Sequence, residues 1–302
     1  SIVEERVYED HMAATMNLGI PSVPTFRKDT TDRNRTSPFA FTGNKFEFRS
    51  LGSSQNIAMP NVVINTAVAK VLSDMADTLE AAVAKGEDFQ KAVAAVIKDT
   101  LAAHKRIIYN GNGYSQEWMA EAARRGLSNL RTTVESCEVL TSDKAVELFT
   151  RFGILSSVEL HARQEILLEN YAKVLNIEAQ TMILMATRQI IPAVESYMTK
   201  LGKAARAKLD VLDGNTAAIR MERELISRLS DLNTATYDAV AALRQADREA
   251  LAAGDAHAVA VAFRDKVVPA MAALRASVDE METMMASEDW PLPTYGEIMH
   301  KQ

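Results

Sequence analysis

The sequence predicts a mainly α protein in which a long antiparallel helical bundle follows a short β-hairpin. After Pro60, apolar residues recur at helical spacing almost to the C-terminus. Turns that contain glycine separate helical stretches of roughly 30 to 45 residues, which is typical of an antiparallel helical hairpin or three-helix bundle. Before them, Phe39, Phe41, Phe46 and Phe48 alternate with other residues on the two sides of a Thr-Gly-Asn turn. That alternation indicates two paired strands.

The first part of the chain is predicted to contain a short helix, a loop and the hairpin. Within residues 1–19, Val, His and Met side chains fall near helical spacing. Residues 20–34 contain two prolines and a polar cluster, and we expect an extended loop there. The hairpin follows, to about residue 51.

Capping residues and glycine stops divide the remaining chain into helices. Pro192 should kink the longest of them about one turn before the proline, and Pro269 should bend the last one. Two prolines in the tail Trp290–Pro293 predict an extended segment. The predicted helices run from Pro60 to Gly86, Glu87 to Ile108, Ser115 to Gly126, Ser142 to Gly153, Ser156 to about Leu201, Asn215 to about Ala252 and Asp255 to Met285.

Composition excludes several classes of protein. The chain has 302 residues, which is enough for two folding units with a substantial core. A net charge of −6 without a long basic run argues against nucleic-acid binding. Apolar helices are interrupted by Arg, Glu and Gln, so no membrane span is expected, and the acidic start is unlike a secretory signal. The single Cys137 excludes a disulfide framework and a zinc-type cysteine cluster, and it favours a reducing cytoplasm.

The second strand of the hairpin carries the charged residues with the clearest chemical pattern. A period of two places Lys45, Glu47 and Arg49 on one face, and Arg35 lies in the preceding loop. A carboxylate between cations suits a Mg²⁺-phosphate site. Ordinary antiparallel strands also alternate in this way, and their outer faces are solvated and ion-paired. Spacing alone leaves both interpretations open.

Other clusters have simpler structural interpretations. His161, Glu165 and Glu169 share one face of the long helix, where a metal could bind, but an exposed polar stripe explains them without partner ligands elsewhere. The methionines around Met284 are expected to fill core space, and Cys137 to be at least half-buried. Residues 110–113, with sequence Asn-Gly-Asn-Gly, follow a helix rather than a strand and therefore predict a connecting turn.

Several motifs together resemble the glutamine synthetase family. Asn34-Arg35-Thr36, the strand Glu47-Phe48-Arg49 and Ser53-Ser54-Gln55-Asn56 are similar to the C-terminal part of its catalytic domain. The type III class, which has a long helical C-terminal extension, is the most similar. Its further matches are Tyr109–Ser115, Glu159–Arg163, Ile166–Tyr171 and Trp290–Gly296. The resemblance runs from about residue 20 to the C-terminus, but it covers only a minority of a whole synthetase.

The resemblance implies a role for each charged residue of the hairpin. Glu47 matches a ligand of the divalent metal that bridges the ATP phosphates, and Arg49 matches the catalytic Arg that contacts the reacting γ-carboxylate or phosphoryl group. Arg35 matches an ATP-phosphate contact, and Lys45 a basic residue near the nucleotide. Many relatives carry a second Arg where this chain has Ala40, so one phosphate-contacting charge is absent or supplied from elsewhere.

The resemblance also implies an enzyme, of which this chain is a part. Residues 1–85 would be the C-terminal end of an α+β catalytic domain, and residues 86–302 the helical extension. The implied reaction joins ammonia to glutamate through γ-glutamyl phosphate, with ATP and Mg²⁺ or Mn²⁺, in a cytoplasmic two-ring homo-oligomer. Most of the site would lie upstream, so the isolated chain is expected to be inactive. The alternative is a non-catalytic helical interaction or oligomerisation module whose hairpin is structural.

Overall fold

The chain is mainly helical, as predicted, and divides into two compact units. Unit 1 comprises residues 1–130 and 148–154, and unit 2 comprises residues 131–147 and 155–302. The predicted domain boundary after residue 85 falls within unit 1 and stays a prediction. The computed structural model describes Val3 and residues 15–16, 26–27, 39–41, 46–48, 56–109, 111–293 and 295–300.

The predicted hairpin is present in unit 1. Strand β3 (Phe39–Phe41) pairs antiparallel with strand β4 (Phe46–Phe48), as the alternation of phenylalanines indicated. In this register Phe39 lies opposite Phe48, and their ring centroids are 5.1 Å apart. Such cross-strand aromatic contacts contribute to the stability of a strand pair.

The prediction of a helix across residues 1–19 is wrong where the structure describes that segment. Thr15–Met16 forms a short strand that pairs antiparallel with Phe26–Arg27, in a stretch predicted as loop. Two prolines and a glycine between them favour a chain reversal. A short isolated helix is marginally stable in water, so weak helical spacing does not outweigh this pairing.

Three helices complete the described part of unit 1: α1 (Ala58–Ala84), α2 (Phe89–His104) and α3 (Gln116–Arg124). Helix α1 contacts α2. Gly86 separates them with a φ of +88°, a left-handed conformation that favours glycine. The side chain of Asp88 then caps α2 by accepting a hydrogen bond from the Lys91 amide, 3.1 Å away. Both helices begin and end close to the predicted positions.

The remaining helices lie in unit 2, except for the last turn of α5, which belongs to unit 1. Their bounds are α4 (Thr133–Glu138), α5 (Asp143–Arg151), α6 (Ser157–Met185), α7 (Ile191–Val211), α8 (Arg220–Leu251), α9 (Ala256–Ala262), α10 (Val268–Met284) and α11 (Tyr295–His300). Helices α4 and α11 were not predicted. A capping box, in which Thr132 and Glu135 exchange side-chain and backbone hydrogen bonds, begins α4. Among the described residues, no helix is long and apolar enough to cross a lipid bilayer.

Both interior prolines interrupt their helices where predicted. A π-helical turn at Ala186–Ile190 joins α6 to α7 directly before Pro192, and a second at Phe263–Val267 joins α9 to α10 before Pro269. Proline lacks an N–H and clashes with the carbonyl four residues earlier, so the regular hydrogen-bond ladder cannot pass through it. The wider turn accommodates this break.

Three antiparallel segments, α6–α7, α8 and α9–α10, form the predicted helical bundle. Their shared core consists mainly of aliphatic residues, together with Phe263, which is fully buried. Met281 and Met285 are buried in it, as predicted. Trp290 packs against the same core, so the extended tail after α10 folds back onto the bundle. Cys137 is buried with Val134, Leu168 and Ala260 in a smaller cluster between α4, α6 and α9.

Polar contacts at three levels connect α8 to the segment α6–α7. Gln180 bonds to Asp247, Glu195 to Asn233 and Lys208 to Glu222. Between the first pair and the second, the residue number rises by 15 on the segment α6–α7 and falls by 14 on α8, because the two run antiparallel. Each pair buries at least one polar side chain, so sliding the helices would leave that group without a partner.

Replacing Leu229 with Ala should lower the free energy of unfolding by about 2–5 kcal/mol, because this fully buried side chain would leave a cavity between the helices. Urea unfolding followed by far-UV circular dichroism would measure the change. Met221→Ala is the matched control, since Met221 is on the same helix and 57% exposed. Equal effects of the two substitutions would contradict the described packing of α8.

Candidate functional site

The described part of the candidate site is the charged face of β4. Glu47 is half-buried and lies opposite Ala40 in the strand register. Phe46 and Phe48 on the other face are 69% and 43% exposed. The alternation of Glu47 with its neighbours is therefore as predicted, and the two aromatic side chains beside it are more exposed than the carboxylate. Arg35, Lys45 and Arg49 lie outside the described residues, so their predicted roles stay predictions.

Glu47 by itself does not make a metal site. Among the described residues, no group of three or more His, Cys, Asp or Glu side chains lies close enough to hold a metal ion. Mg²⁺ requires about six oxygen ligands in octahedral geometry. A half-buried carboxylate on a paired strand is suited to be one of them, and the other ligands would have to come from outside the described residues.

The polar stripe on α6 is part of the helix surface. His161 is 2.8 Å through Nδ1 from the carbonyl oxygen of Ser157, and Glu169 accepts a hydrogen bond from Lys173 at 2.9 Å. These are contacts within one helix, between residues four apart. The structure thus favours the exposed-surface interpretation over a metal in the bundle.

The turn after α2 is a packed corner that the sequence did not reveal. Tyr109 stacks on Trp118 with centroids 4.0 Å apart, and the Arg125 guanidinium lies 5.5 Å from the Trp118 ring. Arg125 also donates hydrogen bonds to the carbonyls of Arg106 and Ile108. A Cβ on Gly111 would lie 2.3 Å from the Tyr109 hydroxyl oxygen, so the corner needs glycine there.

A carboxylate fixes Arg125 in this corner. Glu121 accepts hydrogen bonds from Arg124 and Arg125, and these bonds lower the pKa of Glu121 to about 2. The stacked rings and this hydrogen-bond network pack the corner with side chains of the chain itself. Residues 111–113 therefore form part of a connecting turn, as predicted, with Asn112 accepting a hydrogen bond from the Tyr114 amide.

A buried acid on α8 has a raised pKa. Asp247 is 3% exposed, and its Oδ2 accepts a hydrogen bond of 2.7 Å from the Gln180 side chain. Its Oδ1 has no hydrogen-bond partner among the described residues. Burial raises the pKa of Asp247, and the opposing effects of Gln180 and Arg248 are smaller. Its sequence neighbours gave no signal of this environment.

Glu222 is buried in the same helix but has the opposite perturbation. It is 2% exposed, and a hydrogen bond from Lys208 is the main cause of its lowered pKa. The pKa values of the two acids are shifted in opposite directions, because Glu222 faces an ammonium group whereas Asp247 faces a neutral amide.

Comparison with known proteins identifies the helical region. Residues 92–208 match the family model of the glutamine synthetase C-terminal domain. This chain contains a glutamine synthetase C-terminal domain. The family resemblance predicted from the sequence is confirmed.

Curated glutamine synthetases are similar to nearly the whole chain. Type-3 glutamine synthetase of Dictyostelium discoideum is 36% identical over 291 residues, which are 94% of this chain and 39% of that protein. Glutamine synthetase of Butyrivibrio fibrisolvens is 38% identical over 277 residues, covering 91% of this chain and 39% of the relative. That of Bacteroides fragilis is 34% identical over 287 residues, covering 94% and 39%. The chain thus spans about two fifths of the length of these relatives.

The matched glutamine synthetase C-terminal domain does not include the whole bundle. Its match ends at Lys208 in α7, so α8 and α10 lie beyond it. Gln180, Glu195 and Lys208 lie inside the match, whereas their partners on α8 lie outside it. The domain consequently packs against the following helices to bury its apolar face.

Asp247→Asn should remove a pH-dependent part of the stability of the helical bundle of unit 2. Because burial raises the pKa of Asp247, this contribution is fully present below the unfolded pKa of about 3.9 and is lost as pH rises through the folded pKa. Asn resembles the protonated acid and cannot ionise. The free energy of unfolding of the parent, relative to the variant, should therefore fall as pH rises.

Urea unfolding of both proteins across the acidic to neutral range would measure this difference. Asp231→Asn, at an exposed position of the same helix, controls for the change of side-chain chemistry. A constant difference between parent and Asp247→Asn at every pH would show that Asp247 is not a perturbed acid.

Proposed function

We propose that this chain is the C-terminal part of an ATP-dependent glutamine synthetase. The reaction would join ammonia to glutamate through γ-glutamyl phosphate. The observation that carries this proposal is the similarity of 94% of the chain to type-3 glutamine synthetase of Dictyostelium discoideum, at 36% identity. The glutamine synthetase C-terminal domain at residues 92–208 supports it independently.

In this proposal the charged face of the hairpin contributes to the active site. Glu47 would be a ligand of Mg²⁺ or Mn²⁺, because hard divalent cations prefer carboxylate oxygen. Arg49 would be the catalytic residue that contacts the reacting γ-carboxylate or phosphoryl group, and Arg35 and Lys45 would bind ATP. A transferring phosphoryl group is stabilised by fixed positive charge, which these three residues can supply. The half-buried position of Glu47 on a paired strand is compatible with its role.

The proposed partners follow from the same similarity. They are glutamate, ammonia and ATP as small molecules, and further copies of the chain in a two-ring homo-oligomer. We place the enzyme in the cytoplasm and expect neither nucleic acid nor membrane as a partner. A mildly acidic chain without a long basic run supports this.

A helical interaction or oligomerisation module is the second candidate function. It is favoured by one observation: most described residues after Asn56 belong to helices, and several carry exposed apolar side chains. Nucleotide binding separates the two candidates. An enzyme that contains this chain should bind Mg-ATP through Glu47, whereas a structural module should not.

Glu47→Gln, made in the longer protein that carries this chain, should reduce glutamine synthesis by at least about a hundredfold. The amide keeps the shape of the side chain but removes the charge that the cation requires. Glutamine formation from glutamate, ammonia and Mg-ATP would measure it, with circular dichroism to show that the fold is intact. The matched control is Glu80→Gln on the exposed surface of α1. Activity of Glu47→Gln within a few-fold of the control would refute the assignment.

The 302-residue chain by itself should not form glutamine. One candidate metal carboxylate and a few cations cannot provide the several oxygen ligands that each divalent ion needs. The measurement is glutamine formation by the purified chain, with the longer protein as the positive control. Turnover comparable to that of the longer protein would place the whole active site within these residues and would contradict this proposal.

A further inference from the structure

Helix α6 carries a second apolar stripe on the face that points away from the core. Its residues follow alternating steps of three and four, the spacing of a coiled-coil seam. The four apolar members are 44–67% exposed, and the two polar members are also exposed. We call this stripe the α6 seam: Leu167, Asn170, Val174, Ile177, Thr181 and Leu184.

The core of the bundle does not account for the α6 seam. Leu168, Ala172, Ala179 and Ile183 on the opposite face of α6 are buried against neighbouring helices. A helix at the surface of a bundle normally has one apolar face and one polar face. Single exposed apolar residues are common, but a regular stripe over about 27 Å of helix indicates a surface that another helix covers.

The C-terminal half of the α6 seam borders a groove. A shallow groove is lined by Asn176, Ile177, Gln180, Thr181 and Leu184. Three of these residues belong to the seam, and Gln180 flanks it. In a coiled coil, four such residues of one helix form the hole into which a side chain of the facing helix inserts.

We propose that the α6 seam pairs, parallel and in register, with the α6 seam of a second copy of this chain. This register places Asn170 against Asn170 and Thr181 against Thr181, so polar positions meet and apolar positions meet. Across a two-fold axis, each of these residues meets the same residue of the other copy, so their polar side chains can hydrogen-bond to each other. Asn170 and Thr181 thus form two polar layers among four apolar ones, so a shifted register would place polar side chains against apolar ones.

Charges beside the α6 seam support the parallel direction. Lys173 and Glu178 flank the seam on opposite sides and are five residues apart, so in a parallel pair Lys173 of one copy faces Glu178 of the other, twice. Both side chains are exposed, and Lys173 bonds to Glu169 within its own helix. In an antiparallel pair, like flanking positions face each other and this attraction is lost. The seam is short, so a reversible dimer is expected rather than a permanent one.

The first experiment is sedimentation equilibrium of the complete chain over a range of concentrations. The parent should show a reversible monomer–dimer equilibrium, and Ile177→Asp should raise the dissociation constant at least about tenfold, because it places two charges at the centre of the seam. Val158→Asp is the matched control: Val158 is 78% exposed on the same helix but lies off the seam. This variant should dimerise like the parent.

The second experiment tests direction and register by exchanging charges. Lys173→Glu and Glu178→Lys should each weaken the dimer, and the double variant should restore it, because attraction returns only if the two positions face each other. A parent that is monomeric at every concentration, or equal effects of Ile177→Asp and Val158→Asp, overturns the proposal. Failure of the double variant to recover the dimer overturns the parallel register. The pairing concerns α6 alone, so these results are independent of the proposed reaction.

Discussion

The bundle of unit 2 depends on the burial of one continuous face of α8. This helix of 32 residues contacts α7, α10 and α6, and its buried positions include Leu229, Val240, Leu243 and Ala250. Removing such apolar surface from water is the main favourable contribution to folding, but it is non-directional and does not select a register. The polar contacts at three levels of α8 supply that selection, since a slip of one turn would leave buried groups without hydrogen bonds.

The need to pack against α8 also explains how the bundle accommodates two prolines. Pro192 and Pro269 each break the hydrogen-bond ladder of a helix whose two halves must both pack against α8. A π-helical turn before each proline takes up the break, while Ile190 and Val267 in these turns remain buried. The packing therefore continues across both interruptions. A hydrogen bond of 2.8 Å between Thr236 of α8 and Ser277 of α10 adds a polar contact to this packing.

Unit 1 differs from unit 2 in how much of its apolar surface is covered. In α1, Thr66 is the one buried residue, and Val68, Val71 and Leu72 are 46–60% exposed. In the hairpin, Phe39, Phe46 and Phe48 are also exposed. This is consistent with a chain that spans 39% of the length of its relatives. In the proposed enzyme, other parts of the protein would cover these surfaces and complete the site at Glu47.

The sequence by itself determined most element types, most helix boundaries and the family. Local chemistry decides these features: a serine or aspartate cap, a glycine with positive φ, an interior proline or a run of alternating phenylalanines acts within a few residues. The hairpin at Phe39–Phe48 and the break before Pro192 could be predicted for this reason. Thr15–Met16 could not, because strand pairing joins residues that are not adjacent in sequence. Likewise, a motif made Glu47 a candidate metal ligand, whereas the other ligands that the proposed site requires would come from residues far from it in the chain.

Only the tertiary structure decided which polar residues are buried and what faces them. Asp247 and Glu222 have no distinguishing neighbours in the sequence, yet one faces the amide of Gln180 and the other the ammonium group of Lys208. The stacking of Tyr109 on Trp118 and the exposure of Ile177 also became known only from the tertiary structure. The physical reason is that pKa, burial and pairing depend on the surroundings that folding brings together, and local sequence does not encode the distance between segments.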